Sequence, residues 1–303
     1  MNRSSSLVDA SPRRLGSLGD VGPLGLGQWR FTTDDLAAAT ALVEAALDAG
    51  LNLVDTADVY GLDFGGTGFG ACEELLGRVI ASSPGLRERM VLATKGGIAP
   101  PTPYDSSADA LTAACEASLT RLGVDVIDLY QIHRPDMLTH PADVAATLAE
   151  LRGAGKIREV GVSNHTPAQV EALAAHLPFP LVTNQPEYSA AHLGPLRDGT
   201  FDACMRLGLV PLVWSPLGGG SLATGEGVRP ELLAVLDGLA ERKGTDRATV
   251  ALAFALAHPS RPVAIVGTQR PQRVTASLAA LDVQLDRADV YAVIQASEGE
   301  PLP

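Results

Sequence analysis

The sequence predicts an α/β fold: a single closed (β/α)8 TIM barrel with a short N-terminal hairpin and extra helices. Three observations carry that expectation. Eight short apolar runs alternate with helix-like segments, as parallel strands buried on both faces should. Several of those runs stop abruptly at a polar residue, the pattern of a barrel whose strand ends meet at one mouth. The 303 residues also suit one large barrel.

Residues 1–14, MNRSSSLVDASPRR, read as a flexible tail, and residues 15–303 as the barrel. The tail has no apolar stretch of the kind a secretory signal needs. LGSLGDVGPLGLGQW reads as a hairpin followed by a first strand, Leu24–Gly27. Thr33 then caps a helix with Asp34 and Asp35 in its first turn, ending before Gly50. The remaining strands are Asn52–Thr56, Val91–Lys95, Ile127–His133, Val160–Ser163, Leu181–Gln185, Val210–Ser215 and Val263–Gly267. Pro141 marks a first helical turn, Thr166-Pro167 a cap and first position, and Pro271 opens a further helix. The rival architecture, an open doubly wound sheet, should carry its Gly-rich nucleotide loop directly after the first strand.

Composition narrows the function classes. Hydrophobic residues make up 46% and charged residues 19%, which supports a sizeable core. With 35 acids against 23 Lys and Arg, the net charge of −12 disfavours nucleic acid and anionic membranes as partners. Cys72, Cys115 and Cys204 are scattered, without metal-ligand spacing, and read as reduced thiols of a cytoplasmic protein. The expectation is a monomer or small homo-oligomer that acts on a small molecule, with no metal.

Three glycine clusters invite a nucleotide-loop reading. GPLGLG at 22–27 opens no helix and fails the context of a dinucleotide fingerprint. GGTGFG at 65–70 lies on a loop after Tyr60 and reads as a flexible rim. GGG at 218–220 follows WSPL at a strand end, where exposed backbone N–H groups suit a pyrophosphate.

The chemistry gathers on Asp55, Tyr60, Lys95 and His133, each where an apolar run ends or a turn begins. Reducing a carbonyl requires a proton donor at the oxygen as the alkoxide forms. A tyrosine with its pKa lowered from about 10 by a neighbouring ammonium suits that task. Lys95 is the candidate ammonium, Asp55 its counter-charge, and His133 a neutral hydrogen-bond donor that orients the substrate oxygen. Taken singly, each has a structural reading: turn cap, rim packing, solvated strand end, satisfied core histidine. Four complementary groups at strand ends favour function.

In chain order, DTADVYG, the Lys of ATKGG, QIHRPD, GVSNH, NQPEYS, WSPLGGGSL and IVGTQRPQRV resemble an aldo-keto reductase, from about Leu24 to about Leu285. The later motifs are especially similar to a little-characterised bacterial group. The resemblance implies that Tyr60 is the general acid, with Asp55, Lys95 and His133 completing a tetrad. It places Ser163, Asn164 and Gln185 on the nicotinamide carboxamide, and Trp214 stacked on the ring. It lines the pyrophosphate with Ser215, Leu217, Gly218 and Gly219. Gly267, Thr268, Gln269, Arg270 and Arg273 surround the adenosine ribose phosphate, and Gln28 and Trp29 join the cofactor set at the first strand end.

Two departures stand out. Ala276 and Ser277 occupy positions where many members carry Glu-Asn, so adenine recognition needs other groups. The loop from Leu62 to Phe69 is long and Gly-rich, and it leaves substrate size open. Arg270 and Arg273 match a dianionic 2′-phosphate and favour NADP(H) over NAD. The expected activity is NADPH-dependent reduction of aldehydes or ketones to alcohols. The alternatives are an NAD(P)-dependent dehydrogenase of sugars or small alcohols, and a cofactor-sensing regulatory subunit with little turnover.

Overall fold

A computed structural model describes residues 6–302; residues 1–5 of the expected tail lie outside them. The chain opens with a two-stranded antiparallel hairpin, β1 (Arg13–Arg14) and β2 (Asp20–Val21). The hairpin begins inside the segment expected to fray, and the described part of that segment, from residue 6 onward, is tied down. Leu7 N donates to Leu285 O at 2.8 Å. The buried guanidinium of Arg13 donates to the carbonyls of Asp9 (2.7 Å), Arg261 (3.2 Å) and Pro262 (3.3 Å). Partners some 250 residues away along the chain hold it in place, and nothing in the local sequence signals them.

Eight parallel strands then close a barrel: β3 (Leu24–Gly27), β4 (Leu53–Asp55), β5 (Val91–Gly96), β6 (Ile127–Ile132), β7 (Ile157–Ser163), β8 (Thr183–Gln185), β9 (Val210–Val213) and β10 (Val263–Val266), with β10 pairing back onto β3. All eight predicted runs form strands, most differing by a residue or two at their ends. The largest difference is β7, which starts three residues before the predicted Val160. Its entry, Ile157-Arg158-Glu159, is more polar than the apolar runs that mark the other strands. Glu159 is nevertheless buried inside the barrel floor, where it accepts from Ser17 N at 2.7 Å and faces Arg152 at 3.5 Å.

The surrounding helices are α1 (Leu36–Asp48), α2 (Ala71–Ser82), α3 (Ala108–Leu122), α4 (Pro141–Gly153), α5 (Pro167–Ala174), α6 (Gly194–Arg197), α7 (Thr200–Leu207), α8 (Ser221–Thr224), α9 (Pro230–Lys243), α10 (Arg247–Leu256), α11 (Pro271–Ser277) and α12 (Arg287–Glu298). The three prolines open α4, α5 and α11 as expected, and Thr166 with Gln169 forms a capping box on α5. The start of α1 differs from expectation. Asp35, not Thr33, is the cap and accepts from Ala38 N at 3.1 Å, so both aspartates precede the first turn. Consecutive cap-competent residues differ little in preference, so burial of Ala39, Leu42, Val43, Ala46 and Leu47 sets the helix start.

Strand alternation sorts the barrel interior into layers. Leu15 and Val21 of the hairpin, with Leu53, Val91, Ala93, Leu129, Leu212, Val263 and Ile265, fill the floor. One pleat higher, the same inward-facing positions become polar: Asp55 on β4, Lys95 on β5, Gln131 on β6, Ser163 on β7 and Gln185 on β8. Register locks this layer together, with Lys95 opposite Gln131 and Ser163 opposite Gln185. The second core cluster lies between barrel and helices. Among the described residues, no helix is long and apolar enough to cross a membrane.

Candidate active site

At the polar layer, Lys95 Nζ donates to Asp55 Oδ2 at 2.7 Å, to Thr56 O at 2.8 Å and to the Tyr60 hydroxyl at 3.2 Å. Tyr60 is half-buried in a turn closed by its own N–H on Ala57 O at 3.1 Å. The start of α2 braces that turn from behind, through Cys72 N on Tyr60 O at 3.3 Å. The next residue on α2, buried Glu73, accepts from Thr94 Oγ1 at 2.5 Å and from Arg121 at 2.7 Å. This pins the helix beside Lys95. The His133 ring meets Tyr60 edge-on, with centroids 5.6 Å apart. The four residues read as a group from the sequence therefore meet in space.

Electrostatics separate their roles. Burial, then the nearby cations Lys95 and Arg134, hold His133 well below the usual imidazole range, so the ring is neutral. Its Nδ1 is buried and has no partner among the described residues. Burial lowers the Lys95 pKa, but Asp55 and Tyr60 outweigh it and the ammonium stays charged. Burial raises the Tyr60 pKa; Lys95 pulls it down, Asp55 pushes it up, and the balance lies above an ordinary phenol. This corrects the expectation of a net lowering. Lys95 does act in the expected direction, but desolvation is the larger effect. Tyr60 is thus a protonated phenol with a cation at its oxygen.

Asp55 has further partners that the sequence reading missed. Gln131 Nε2 and Gln185 Nε2 donate to its other oxygen at 3.2 and 2.9 Å. Thr183 in turn donates to Gln131 Oε1 at 3.2 Å. The signal for Gln131 was available: it stands two residues before His133, which directly follows the end of β6, so in the predicted strand Ile127–His133 the two share a face. Gln185, expected at a nicotinamide, is committed to Asp55.

The other expected cofactor residues ring the same mouth. Ser163 Oγ donates to Gln185 O at 2.9 Å and accepts from Asn164 Nδ2 at 2.8 Å. Asn164 holds a left-handed backbone, φ 57°, and its Oδ1 accepts from Trp214 Nε1 at 3.0 Å. Trp214 is half-buried, with the Arg134 guanidinium 5.9 Å from its ring centroid. Ser215 (φ 50°), Gly218 (φ 57°), Gly219 (φ 67°) and Gly220 (φ 110°) turn the chain through left-handed conformations after β9. A side chain at Gly219 or Gly220 would meet nothing within 4 Å, so the space above them is open. Leu217, within this turn, and Thr268, after β10, are half-buried, and Gly267 is exposed.

A dinucleotide fits these residues. Both side-chain polar atoms of Gln28, and Nε2 of Gln269, are buried without partners among the described residues, at the adjoining ends of β3 and β10. Orphaned groups of this kind call for a ligand or water. Arg270 and Arg273, at the cap and first turn of α11, are exposed and form no ion pair among the described residues. On the far side, Trp29 packs edge-on against Phe64 of the Gly-rich loop, with centroids 4.3 Å apart.

Comparison with known proteins agrees with this geometry. The model of the Aldo/keto reductase family matches residues 23–298. A 6-dehydroglucose reductase of Novosphingobium aromaticivorans is 49% identical over 295 residues, covering 96% of this chain and 97% of that protein. A 6-dehydroglucose reductase of Agrobacterium fabrum is 35% identical over 273 residues, covering 86% and 89%. Among solved structures, a thermostable aldo-keto reductase crystallised with the inhibitor epalrestat superposes with a TM-score of 0.81 at 26% identity, over 94% of this chain and 99% of that one. With a family model spanning nearly its whole length and relatives matched end to end, this chain belongs to the aldo/keto reductase family.

Proposed function

We propose that this enzyme reduces an aldehyde or ketone to the alcohol with NADPH, Tyr60 being the proton donor. The observation that carries the reading is the Tyr60 hydroxyl, 3.2 Å from a buried ammonium and beside a neutral imidazole at the barrel mouth. A bound reduced nicotinamide supplies hydride; the protein supplies position and the proton. A carbonyl oxygen seated between Tyr60 and His133 accepts hydrogen bonds from both. As negative charge develops there, the Tyr60 proton moves to it, and the adjacent Lys95 ammonium stabilises the phenolate left behind. Asp55, anchored by Gln131 and Gln185, keeps that ammonium aimed at Tyr60.

Ser163, Asn164 and Trp214 are assigned to the nicotinamide, and Ser215 with Leu217–Gly219 to the pyrophosphate. Gln28, Trp29, Thr268, Gln269, Arg270 and Arg273 are assigned to the remaining dinucleotide. Gln185 acts through Asp55. The two relatives named for 6-dehydroglucose motivate a narrower proposal, that the substrate is a sugar carrying an aldehyde. Three buried free cysteines suit a reducing compartment, which we take to be the cytoplasm.

The test is NADPH oxidation against a panel of simple aldehydes, ketones and sugar dialdehydes, with NADH in parallel. Turnover of sugar aldehydes at a kcat/KM well above that of unsubstituted aldehydes is the expected result. No turnover of any carbonyl despite tight cofactor binding would favour a cofactor-sensing role instead.

A further inference from the structure

We infer that Arg30 is a positioning residue joining the two loops that flank the mouth, so that a dinucleotide on the glycine turn after β9 orders the substrate-side loop 61–70. The inference rests on the nicotinamide reading above and adds a coupling which that reading does not require.

Three loops converge on this side chain. Its Nη2 donates to Gly219 O at 3.2 Å, at the turn assigned to pyrophosphate. Its guanidinium carbon lies 5.1 Å from the Phe64 ring centroid and 5.8 Å from that of Trp29. Thr32 Oγ1 adds a hydrogen bond to Phe64 O at 3.2 Å. One residue therefore touches the loops after β3, β4 and β9.

The loop at the other end of the link is poorly determined by its own sequence. Gly61, Gly65, Gly66, Gly68 and Gly70 give it a large conformational entropy to lose on ordering. Its internal hydrogen bonds include Gly66 N on Asp63 O at 3.2 Å and Gly68 N on Gly61 O at 3.0 Å. Leu62, Phe64 and Phe69 are exposed, so little core packing holds them. Phe64 also sits at φ 54°, a conformation an aromatic residue adopts only when its contacts enforce it. Those contacts are Trp29, Arg30 and Thr32.

Only arginine performs this linkage. A planar guanidinium stacks on aromatic faces while donating in its own plane, whereas an ammonium is a point donor. An anion on the glycine turn adds an opposite charge beside Arg30 and fixes the guanidinium, which in turn holds Phe64. Coupling of this kind is reciprocal, so removing the Phe64 ring must weaken cofactor binding from a distance.

The experiment measures amide hydrogen exchange of residues 61–70 in the full chain, with and without saturating NADPH, and NADPH affinity by calorimetry. In the wild type, NADPH should slow exchange in the loop by about two- to five-fold, the scale of an exposed cation–π contact. In Arg30→Ala and Arg30→Lys the cofactor should still bind, but the loop should no longer respond. Phe64→Ala should weaken NADPH about two- to five-fold, although Phe64 lies outside the phosphate turn. Undiminished slowing in Arg30→Ala, a wild-type loop indifferent to bound cofactor, or unaltered affinity in Phe64→Ala each overturns the coupling. Calorimetry showing that neither NADPH nor NADH binds would overturn the nicotinamide reading itself, and the coupling with it.

Discussion

Lys95 Nζ stands 3.2 Å from the Tyr60 hydroxyl, and that ammonium is fully enclosed by protein. A buried cation costs several kcal/mol to desolvate and persists only where its partners are good. Here Asp55 Oδ2 and Thr56 O take two of its protons at 2.7 and 2.8 Å, leaving the third for Tyr60. The geometry lets one charge serve both the buried carboxylate of Asp55 and the phenol proposed as proton donor, Tyr60.

Replacing Tyr60 by Phe removes one oxygen and leaves the ring edge against His133. Reduction should fall at least about a hundred-fold, and up to about ten-thousand-fold, with NADPH affinity nearly intact. Steady-state kinetics and a cofactor titration on the same preparation check this. A variant that keeps most of its kcat would sink the proton-donor assignment.

Lys95→Met should affect two readouts. Tyr60 loses the charge that opposes its desolvation, so its pKa should climb further, kcat should collapse and the alkaline limb of the rate profile should move. Asp55 is left buried, with only the Gln131 and Gln185 amides, so stability should fall by roughly 3 kcal/mol, the low end for a broken buried pair. An unchanged pH–rate profile alongside a normal urea midpoint would make Lys95 a bystander.

Arg273→Ala should weaken NADPH far more than NADH, and Arg270→Ala should act in the same direction. A charge-assisted contact to the 2′-phosphate is worth about 1.5–3 kcal/mol, or roughly ten- to a hundred-fold in affinity. Added salt should erode NADPH binding more than NADH binding. Paired titrations decide: equal losses for the two cofactors would leave the NADP preference without support.

His165 supplies an acid-side prediction. Burial brings its pKa to about 4, against a weaker opposing hydrogen bond with Ser163 O. Between about pH 6.5 and 4 the unfolded chain binds this proton and the folded chain does not, so stability falls as pH falls. The loss at this one site approaches roughly 3 kcal/mol near pH 4. His133 shifts the same way, so His165→Gln should flatten the pH dependence of Tm only in part. A variant whose Tm falls as steeply as the wild type's from pH 7 to 4.5 would remove His165 from the account.

The sequence by itself determined the barrel and the candidate residues that gather at its mouth. Alternating buried strands and capped helices are local signals, and a polar residue interrupting an apolar strand shows that something at that position must be met by other polar groups. That is why Asp55, Lys95 and His133 are legible in the amino-acid order alone, and why Leu24–Gly27 agrees residue for residue. Only the tertiary structure decided which polar groups meet. Gln185 bonds to Asp55 from 130 residues away, and Gln131 joins them because register places it opposite Lys95. The tertiary structure likewise assigned the α1 cap to Asp35, tied Arg13 to carbonyls at the entry to β10, and buried Glu159 in the barrel floor. It also reversed the expected direction of the Tyr60 pKa, because desolvation depends on how much protein surrounds a group. Periodicity and capping act over a few neighbouring residues, whereas barrel register, burial and charge pairing depend on distances that exist only after the chain has closed on itself.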